Sequence, residues 1–339
     1  NYSRRFSIRF PNEELPAGRP LRTTPVYDRL LAAGAQMGEA YGLEQALWFA
    51  PEGVVDEFSW RRSTDFEHVA EEVNAVRTAV GIMEIASFAK YTIRGSGASD
   101  WLDRLLTCRL PADGRMTLAP MLNHGGKLIG DFSLANLGDG EFFIVGSGLA
   151  ENYHMRWFTQ NLPEDGSVEI IARGPGLVGL SIAGPKSREL LQRLVDDDVS
   201  NEAFRFLDIR KLDVGMAPCL VGRVSFTGDL GYEIWMEPEF QRYVFDLIQN
   251  QGEDLGLRLF GSRALNSLRV EKNFGSWARE YRPIYGPYEA GMGRFVALKK
   301  DADFIGKAGA AAEKEHGGKL RLRVFVVDAT DADAIGDEP

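Results

Sequence analysis

Two short turn sequences, each lying between strand-forming segments, constrain the fold of this 339-residue chain more than any other feature. Tight turns of this kind connect antiparallel strands, because parallel strands need a long crossover connection. The first hairpin is predicted as strand 126–136, turn 137–140 and strand 141–146, and the second as strand 219–226, turn 227–231 and strand 232–236. Helices are predicted around them at irregular intervals, which indicates an α+β fold and not regular βαβ winding.

The clearest predicted helix spans 65–80, where Phe66, Val69, Val73 and Val76 recur at spacings of three and four and form one apolar stripe. The helical and strand patterns elsewhere are shorter. Further helices are predicted at 27–41, from Ala98, after Gly184-Pro185, and at 239–250, 262–272 and 306–315; further strands are predicted at 88–94, 168–183 and 320–327.

Composition excludes several classes of function. A formal net charge of −10 argues against a nucleic-acid partner, since phosphate contacts need clustered Lys and Arg. Cys108 and Cys219 form no C-x-x-C pair, and reduced thiols in a cytoplasmic compartment are expected. The histidines have no metal-ligand spacing, so no metal site is predicted. The chain contains no run of about 18 apolar residues, so no membrane span is predicted.

The segment Gly174-Pro-Gly-Leu-Val-Gly179 matches the G-x-G-x-x-G pattern of dinucleotide sites. That pattern binds a pyrophosphate only where a helix follows the glycines. Here the next residues are predicted to form a strand, and the helix begins only after Gly184. We therefore predict a tight turn between strands at this position and no nucleotide site.

Two acidic residues on predicted strands are candidates for chemistry. Asp131 lies in the first hairpin, on the strand face opposite Phe132 and Leu134, and Glu233 begins the last strand of the second hairpin. On local sequence alone, a strand-end or surface carboxylate is the more frequent reading for both. The functional reading is that Asp131 stabilises a developing cation or handles a proton, and that Glu233 accepts N–H groups of a heterocycle.

Two arginines on a predicted helix are weaker candidates. Arg263 and Arg269 lie six residues apart, and at about 100° per residue they do not share one helix face. We therefore expect at most one of them to point inward. A solvated or ion-paired arginine is the default expectation for Arg269.

Ordered sequence blocks over about 66–306 resemble the glycine-cleavage T-protein (aminomethyltransferase) superfamily, and most of all its branch fused to flavin-dependent dimethylglycine and sarcosine dehydrogenases. Each block alone has little specificity; their order along the chain gives the resemblance its weight. The blocks are Val80-Gly-Ile-Met-Glu-Ile-Ala-Ser-Phe-Ala-Lys-Tyr91, Pro120-Met-Leu-Asn123 with Gly130-Asp131, Gly184-Pro-Lys-Ser-Arg-Glu-Leu190, Phe226-Thr-Gly-Asp-Leu-Gly-Tyr-Glu233, Ser267-Leu-Arg-Val-Glu-Lys272 and Asp303-Phe-Ile-Gly306.

The resemblance implies a multidomain fold of mixed and antiparallel sheets with flanking helices around a central tetrahydrofolate pocket. Asp131 matches the family's catalytic aspartate, and Glu233 matches the glutamate that holds the pterin. Asn123, Tyr232, Arg263 and Arg269 are candidate pocket residues by position in the same blocks; Arg263 or Arg269 would have to substitute for a family arginine at the position of Leu265.

The resemblance also implies an organisation and partners. Residues 1–57 are expected to be the tail of a preceding flavin-oxidoreductase half, residues 58–295 the folate-binding region, and residues 296–339 the incomplete start of a C-terminal β-barrel. FAD is expected only in the missing flavin half, which would oxidise an N-methyl amine and deliver a one-carbon unit to folate.

Two alternatives stay open at this stage. One is a stand-alone tetrahydrofolate-dependent demethylase of a methylated amine or sulfur compound; the other is a non-catalytic regulatory or assembly module of the same fold. Two departures from the family pattern and the incomplete C-terminal barrel favour the second alternative: Leu118 stands where many relatives have Tyr, and Phe226 replaces a Tyr. A further departure is Arg294, which stands where Trp is common.

Overall fold

The structure is a computed structural model that describes residues 6, 8, 10, 13–14 and 18–329. Helices and strands alternate along these residues without regular βαβ winding, so the α+β prediction is confirmed. The helices are α1 (Tyr27–Ala32), α2 (Asp65–Thr78), α3 (Ala98–Leu105), α4 (Glu151–Gln160), α5 (Ser187–Leu194), α6 (Pro238–Gly252), α7 (Ser262–Glu271) and α8 (Lys307–His316).

The strands form a short hairpin and two larger sheets. β1 (Ala35–Ala40) and β2 (Leu43–Phe49) pair with each other. The six-stranded sheet has the order β10-β11-β12-β9-β3-β13, and the five-stranded sheet has the order β5-β6-β7-β4-β8. Their strands are β3 (Val80–Glu84), β4 (Ala89–Arg94), β5 (Arg115–Leu122), β6 (Leu128–Gly138), β7 (Glu141–Gly146), β8 (Glu169–Ala172), β9 (Val178–Ala183), β10 (Ile209–Val214), β11 (Ala217–Gly222), β12 (Gly231–Met236) and β13 (Leu257–Leu259).

The two large sheets pack face to face, and helices cover their outer faces. Between the sheets, the ring of Trp235 on β12 meets Phe143 on β7 edge-on at 5.9 Å between centroids. Gly222 on β11 lies so close to Met116 on β5 that a Cβ atom at residue 222 would come within 2.9 Å of its sulfur. The apolar residues of α5 and α6 pack on the six-stranded sheet, and those of α3 and α4 pack on the five-stranded sheet. The inner faces therefore enclose a separate interlayer core.

Both hairpins predicted from the sequence are confirmed. β6 pairs antiparallel with β7 across the turn at 139–140, and β11 pairs antiparallel with β12. The α2 prediction is also confirmed, because the helix begins at Asp65, ends at Thr78 and buries Val76 completely. At the glycine-rich segment, a single 3-10 turn spans Gly174–Gly176 and is followed by β9, as predicted for a turn without nucleotide-binding geometry.

The prediction of one helix over 27–41 was wrong. α1 ends at Ala32, and the chain then forms β1 and β2. The break has a local cause: Gly34 has a φ of +87°, and a Cβ atom there would lie 2.0 Å from the Ala50 carbonyl oxygen. Within α1, Leu30 is 2% exposed, whereas Leu31 is 45% exposed.

Several strand assignments also needed correction. β3, β5, β10 and β13 were not predicted. β5 contains Pro120, a residue that weakens a strand pattern. Residues 320–327 were predicted as a strand, but they form an extended segment without a strand partner among the described residues. The amides of Leu320 and Leu322 donate instead to the side chain and the carbonyl of Glu289.

Other expectations remain untested. Residues 330–339 of the expected barrel start lie outside the described residues. The boundaries at 57/58 and 295/296 stay predictions. Within the part of the chain that the structure describes, no helix has the length and apolarity to cross a membrane, and no three His, Cys, Asp or Glu side chains converge as metal ligands would. Cys108 and Cys219 are buried free thiols.

Candidate functional site

Asp131 lies on the inner face of the five-stranded sheet. It stands opposite Pro120 in the β5–β6 register, and Ala135, four residues further along the same face, is part of the interlayer core. The residue is partly exposed, but its Oδ1 atom is shut off from solvent and has no hydrogen-bond partner among the described residues. A buried carboxylate oxygen without a partner is costly, so its retention points to a ligand.

Glu233 lies on the inner face of the six-stranded sheet. It stands between Gly222 on β11 and Ser181 on β9, two residues with small side chains. Trp235 lies on the same face two residues on, and its side chain hydrogen-bonds to the carboxyl of Glu233. Oε2 of Glu233 is also shut off from solvent and has no partner among the described residues. Each of the two facing sheets thus carries a carboxyl group with one unpartnered oxygen. We call the region between the sheets that holds these two groups the interlayer cleft.

Burial changes the acidity of both carboxyl groups. It raises the pKa of Asp131 to about 8, and the negative charge of Glu280 raises that pKa further. Burial raises the pKa of Glu233 to about 7, against the opposing effect of the Trp235 hydrogen bond. Both groups therefore resist ionisation near neutral pH. A ligand that brings N–H donors or positive charge would favour their charged forms.

Arg269 positions the loop beside Asp131. It is 4% exposed, and its Nη1 atom donates to Oε2 of Glu280 at 2.9 Å and to the carbonyl of Phe274 at 2.8 Å. The amide of Ser276 donates to the same Glu280 oxygen at 2.9 Å. The default expectation of an ion-paired Arg269 is therefore confirmed, and its role in the structure is to hold this loop.

Arg263 is tied to the start of α2. Its Nη1 atom lies 2.9 Å from the carboxylate of Asp65 and its Nη2 atom lies 3.9 Å from that of Asp56. Its side chain is 13% exposed, so the prediction that at most one of the two arginines points inward was wrong. α7 packs against α2 on one side and against the loop 274–280 on another. Arg263 therefore pairs with Asp65 of α2, and Arg269 pairs with Glu280 of the loop.

The structure does not bring the other two candidates to the interlayer cleft. Asn123 lies in the β5–β6 turn, where its Oδ1 atom accepts a hydrogen bond from the amide of Lys127 at 3.0 Å. Tyr232 is fully buried on the opposite face of β12, and Nε of Arg188 donates to its hydroxyl at 3.2 Å. Both side chains have structural partners that account for their positions.

Two residues that depart from the family pattern lie near these elements. The ring of Phe226, in the loop before β12, stacks on Phe274 at 6.2 Å between centroids with 8° between the ring planes. Leu118 stands opposite Ser133 on the inner face of the five-stranded sheet. An aromatic pair and an aliphatic side chain thus occupy positions where the resemblance implied hydroxyl groups.

Sequence reasoning missed Trp235, Glu280 and Tyr281. Trp235 could have been found, since strand alternation places it on the same face as Glu233. Glu280 and Tyr281 lie in an irregular loop, where no periodicity predicts which side chains face inward. Burial raises the pKa of the Tyr281 hydroxyl to about 12, and the charge of Asp131 raises it further, so this phenol lies within electrostatic reach of the carboxyl.

Comparison with known proteins adds to this geometry. The family described as the GCVT N-terminal domain matches residues 26–300. Human mitochondrial dimethylglycine dehydrogenase is 34% identical over 98% of this chain, which spans only 39% of that protein. An aminomethyltransferase from Caldanaerobacter subterraneus is 31% identical over 80% of this chain and 72% of its own length.

A solved structure supports the fold. The glycine cleavage system aminomethyltransferase T of Bartonella henselae superposes with a TM-score of 0.73, covering 88% of this chain and 76% of that protein at 20% sequence identity. The fold with two facing sheets and flanking helices is therefore shared with a T-protein.

Proposed function

Given that this chain belongs to the GCVT N-terminal domain family, we propose that its interlayer cleft binds tetrahydrofolate and that the chain transfers a one-carbon unit to it. The observation that carries the proposal is the pair of buried, unpartnered carboxylate oxygens on facing sheets, one on Asp131 and one on Glu233. Each oxygen lacks the hydrogen bond that a buried polar atom needs.

A reduced pterin fits these two groups. Its ring presents several N–H donors along one edge, and a carboxylate can accept two of them in parallel. Glu233 has one oxygen, Oε2, without a partner among the described residues, and this oxygen can accept such a donor. On this assignment Glu233 binds and orients the ring.

Asp131 would act on the opposite wall. Tetrahydrofolate, when bound, supplies the secondary nitrogens that accept the one-carbon unit. Positive charge develops near those nitrogens during transfer, and a fixed carboxylate beside them lowers the free energy of that charge. With a pKa raised to about 8, Asp131 can also take up and return a proton near neutral pH. Arg269 and Glu280 hold the neighbouring loop in place during these steps.

The donor is proposed by analogy with the relatives. This chain spans about two fifths of the length of dimethylglycine dehydrogenase. We propose that a flavoprotein oxidises an N-methyl glycine-type amine and that this chain captures the released unit as methylenetetrahydrofolate. FAD would belong to the flavoprotein, and we place both in a cytoplasmic, reducing compartment. A stand-alone demethylase would show transfer from a methylated donor without any flavoprotein, which separates the two possibilities.

Calorimetric titration with tetrahydrofolate tests the proposal. We expect saturable binding at one site, weakened in Asp131→Asn and Glu233→Gln. Asp139→Asn and Glu202→Gln serve as matched controls, because both residues are exposed and lie outside the cleft. Absence of saturable binding in the unaltered chain would contradict the proposal and favour a non-catalytic module of the same fold.

A further inference from the structure

His154 is a fully buried histidine on α4, on the side of the five-stranded sheet opposite to the interlayer cleft. Its Nε2 atom lies 3.0 Å from the carbonyl oxygen of Ile129 on β6. Because a carbonyl oxygen only accepts, Nε2 carries the proton of the ring and donates it, and Nδ1 keeps a lone pair. Nδ1 is shut off from solvent and has no partner among the described residues. The side chain therefore has one anchor in the described part of the chain, and that anchor is the strand of Asp131.

The part of β6 that accepts this hydrogen bond has incomplete strand pairing. Gly130 and Leu128 pair with consecutive residues of β5, so Ile129 between them has no partner residue there. The pairing of β6 with β7 begins at Ser133. Asp131 therefore lies on a part of β6 that is paired on one side and adjoins an irregularity. Irregularities of this kind are frequent beside active sites, where they redirect a side chain.

The ring of His154 packs closely on this part of β6. It meets the ring of Phe132 edge-on at 4.7 Å between centroids. A Cβ atom at Gly130 would lie 3.1 Å from Nε2 of His154 and 2.7 Å from the ring of Phe132. Any side chain at position 130 would thus push the rings away. The strand is held between the imidazole on its outer face and the carboxyl of Asp131 on its inner face.

His154 also contacts the loop that flanks Asp131. Trp277 in this loop packs against His154 at 5.7 Å between centroids, with 58° between the ring planes. Trp277 forms a β-bridge with Tyr281, and the negative charge of Glu280 between them raises the pKa of Asp131. The imidazole therefore touches both parts of the molecule that surround this carboxyl, the strand that carries it and the loop beside it.

A comparison with Phe158, one turn further along α4, shows what the imidazole adds. Both side chains are fully buried, and both contact the ring of Phe132. Phe158 fills its space without a polar atom, whereas His154 leaves Nδ1 buried and unpartnered, which is costly. An apolar ring would meet the demands of packing at a lower free energy. The specific contribution of the imidazole is the N–H group that donates to Ile129.

We propose that His154 is a positioning residue for Asp131. It fixes the irregular part of β6 and the loop 274–281 relative to each other, and thereby keeps the carboxyl of Asp131 in its place at the interlayer cleft. The expected effect on transfer rests on the proposed function, whereas the placement of the carboxyl needs no ligand. Burial lowers the pKa of His154 to about 4, so the ring stays neutral and exchanges no proton itself near neutral pH.

The pKa of Asp131 reports on the position of its carboxyl without any ligand. NMR of protein labelled with ¹³C at the aspartate carboxyl groups measures it, and the signal of Asp131 is the one missing from Asp131→Asn. We expect His154→Phe, which keeps a ring and lacks the donor, to lower this pKa by about 1, because a displaced carboxyl is better hydrated. Single-turnover transfer to tetrahydrofolate should slow about tenfold at unchanged affinity. His154→Gln keeps an N–H donor and should restore most of both values.

Tyr91→Phe is the matched control. The hydroxyl of Tyr91 donates to the carbonyl of Glu151 on α4 at 3.3 Å, so this variant removes a buried hydrogen bond to the same helix and leaves the one to Ile129 in place. It should change neither the pKa of Asp131 nor the transfer rate. Trp277→Phe alters the packing on His154 from the loop side and should change both in the same direction as His154→Phe. It decides the question if His154→Phe does not fold.

A lowered pKa of Asp131 in His154→Phe that His154→Gln restores supports the inference, even if tetrahydrofolate fails to bind and the proposed function falls. The inference is overturned if the folded His154→Phe variant keeps the pKa and the transfer rate of the unaltered chain, or if Tyr91→Phe changes them equally. With His154→Phe unfolded, an unchanged pKa of Asp131 in Trp277→Phe overturns it. A lowered pKa with an unchanged transfer rate overturns the role in transfer.

Discussion

Glu72 and Glu233 are both buried carboxyl groups, and burial raises the pKa of each to about 7, yet their surroundings differ. Glu72 joins three elements: its oxygens accept hydrogen bonds from the amide of Phe49 at 2.7 Å and from the amide of Gly261 at 2.8 Å. In Glu233, one buried oxygen has no partner in the described structure. The comparison teaches that burial and a raised pKa do not distinguish the two acids, whereas their hydrogen bonds do: the proposed function rests on the oxygen of Glu233 that has no partner.

The largest expected effect is on the transfer rate of a variant at Asp131, which should change without a loss of stability. Asp131→Asn removes the charge and keeps the volume, so we expect transfer to tetrahydrofolate to fall about 10²–10³-fold, as for the loss of one group that stabilises transition-state charge. The thermal midpoint should not fall, because Asp131 has an unpartnered oxygen and forms no ion pair within the described part of the chain. Single-turnover kinetics together with a thermal melt measures both; unchanged kinetics would remove Asp131 from its assigned role.

The next largest effect is on stability and concerns Glu72. Glu72→Gln leaves only one acceptor oxygen for two backbone amides, so we expect the free energy of unfolding to fall by about 2 kcal/mol. Urea denaturation measures this change. Glu71→Gln is a suitable control, since Glu71 neighbours Glu72 but lies on the exposed face of α2. Equal stability of the Glu72 variant and its control would show that the two amide hydrogen bonds contribute little.

In contrast to Glu72→Gln, the Glu233→Gln variant should lose affinity for tetrahydrofolate and keep its stability. An amide accepts fewer N–H groups than a carboxylate and presents donors of its own, so we expect tetrahydrofolate to bind about tenfold more weakly. The free energy of unfolding should stay the same or rise, because a costly buried carboxyl is replaced by a neutral group. If this variant loses stability and keeps its affinity, the contrast with Glu72 fails.

The smallest effect is a pH dependence. The folded-state pKa values of Asp131 and Glu233 are raised, to about 8 and about 7, so the unliganded fold binds protons more tightly than the unfolded chain. Their contribution to stability is therefore fully present below the unfolded-state pKa values of about 4 and is lost progressively as pH rises from there through 7 to 8. N–H donors favour the ionised carboxyls, so tetrahydrofolate affinity should rise a few-fold over the same range. We expect titrations from pH 6 to 9 to show this rise in Glu72→Gln and to show less of it in Glu233→Gln.

The sequence predicted much of this contrast but not all of it. Strand alternation correctly separated Asp131 from the buried Phe132, and the hairpin signals placed Asp131 and Glu233 on separate hairpins. Glu72 could not be recognised, since its two amide partners are 23 and 189 residues away along the chain. The loop 274–281 and the segment 319–323 have no periodic pattern, so the sequence could not predict where Glu280 and the arginines of these stretches lie.

The order of the strands along the chain determines which part of the molecule forms a continuous insert. All strands of the five-stranded sheet come from residues 89–172, between β3 and β9, and those two flanking strands pair with each other. The wall that carries Asp131 is thus nested as one continuous insert inside the wall that carries Glu233, with its entry and exit side by side. Residues 89–172 can therefore be replaced as one continuous segment while the six-stranded sheet keeps the pairing of β3 with β9.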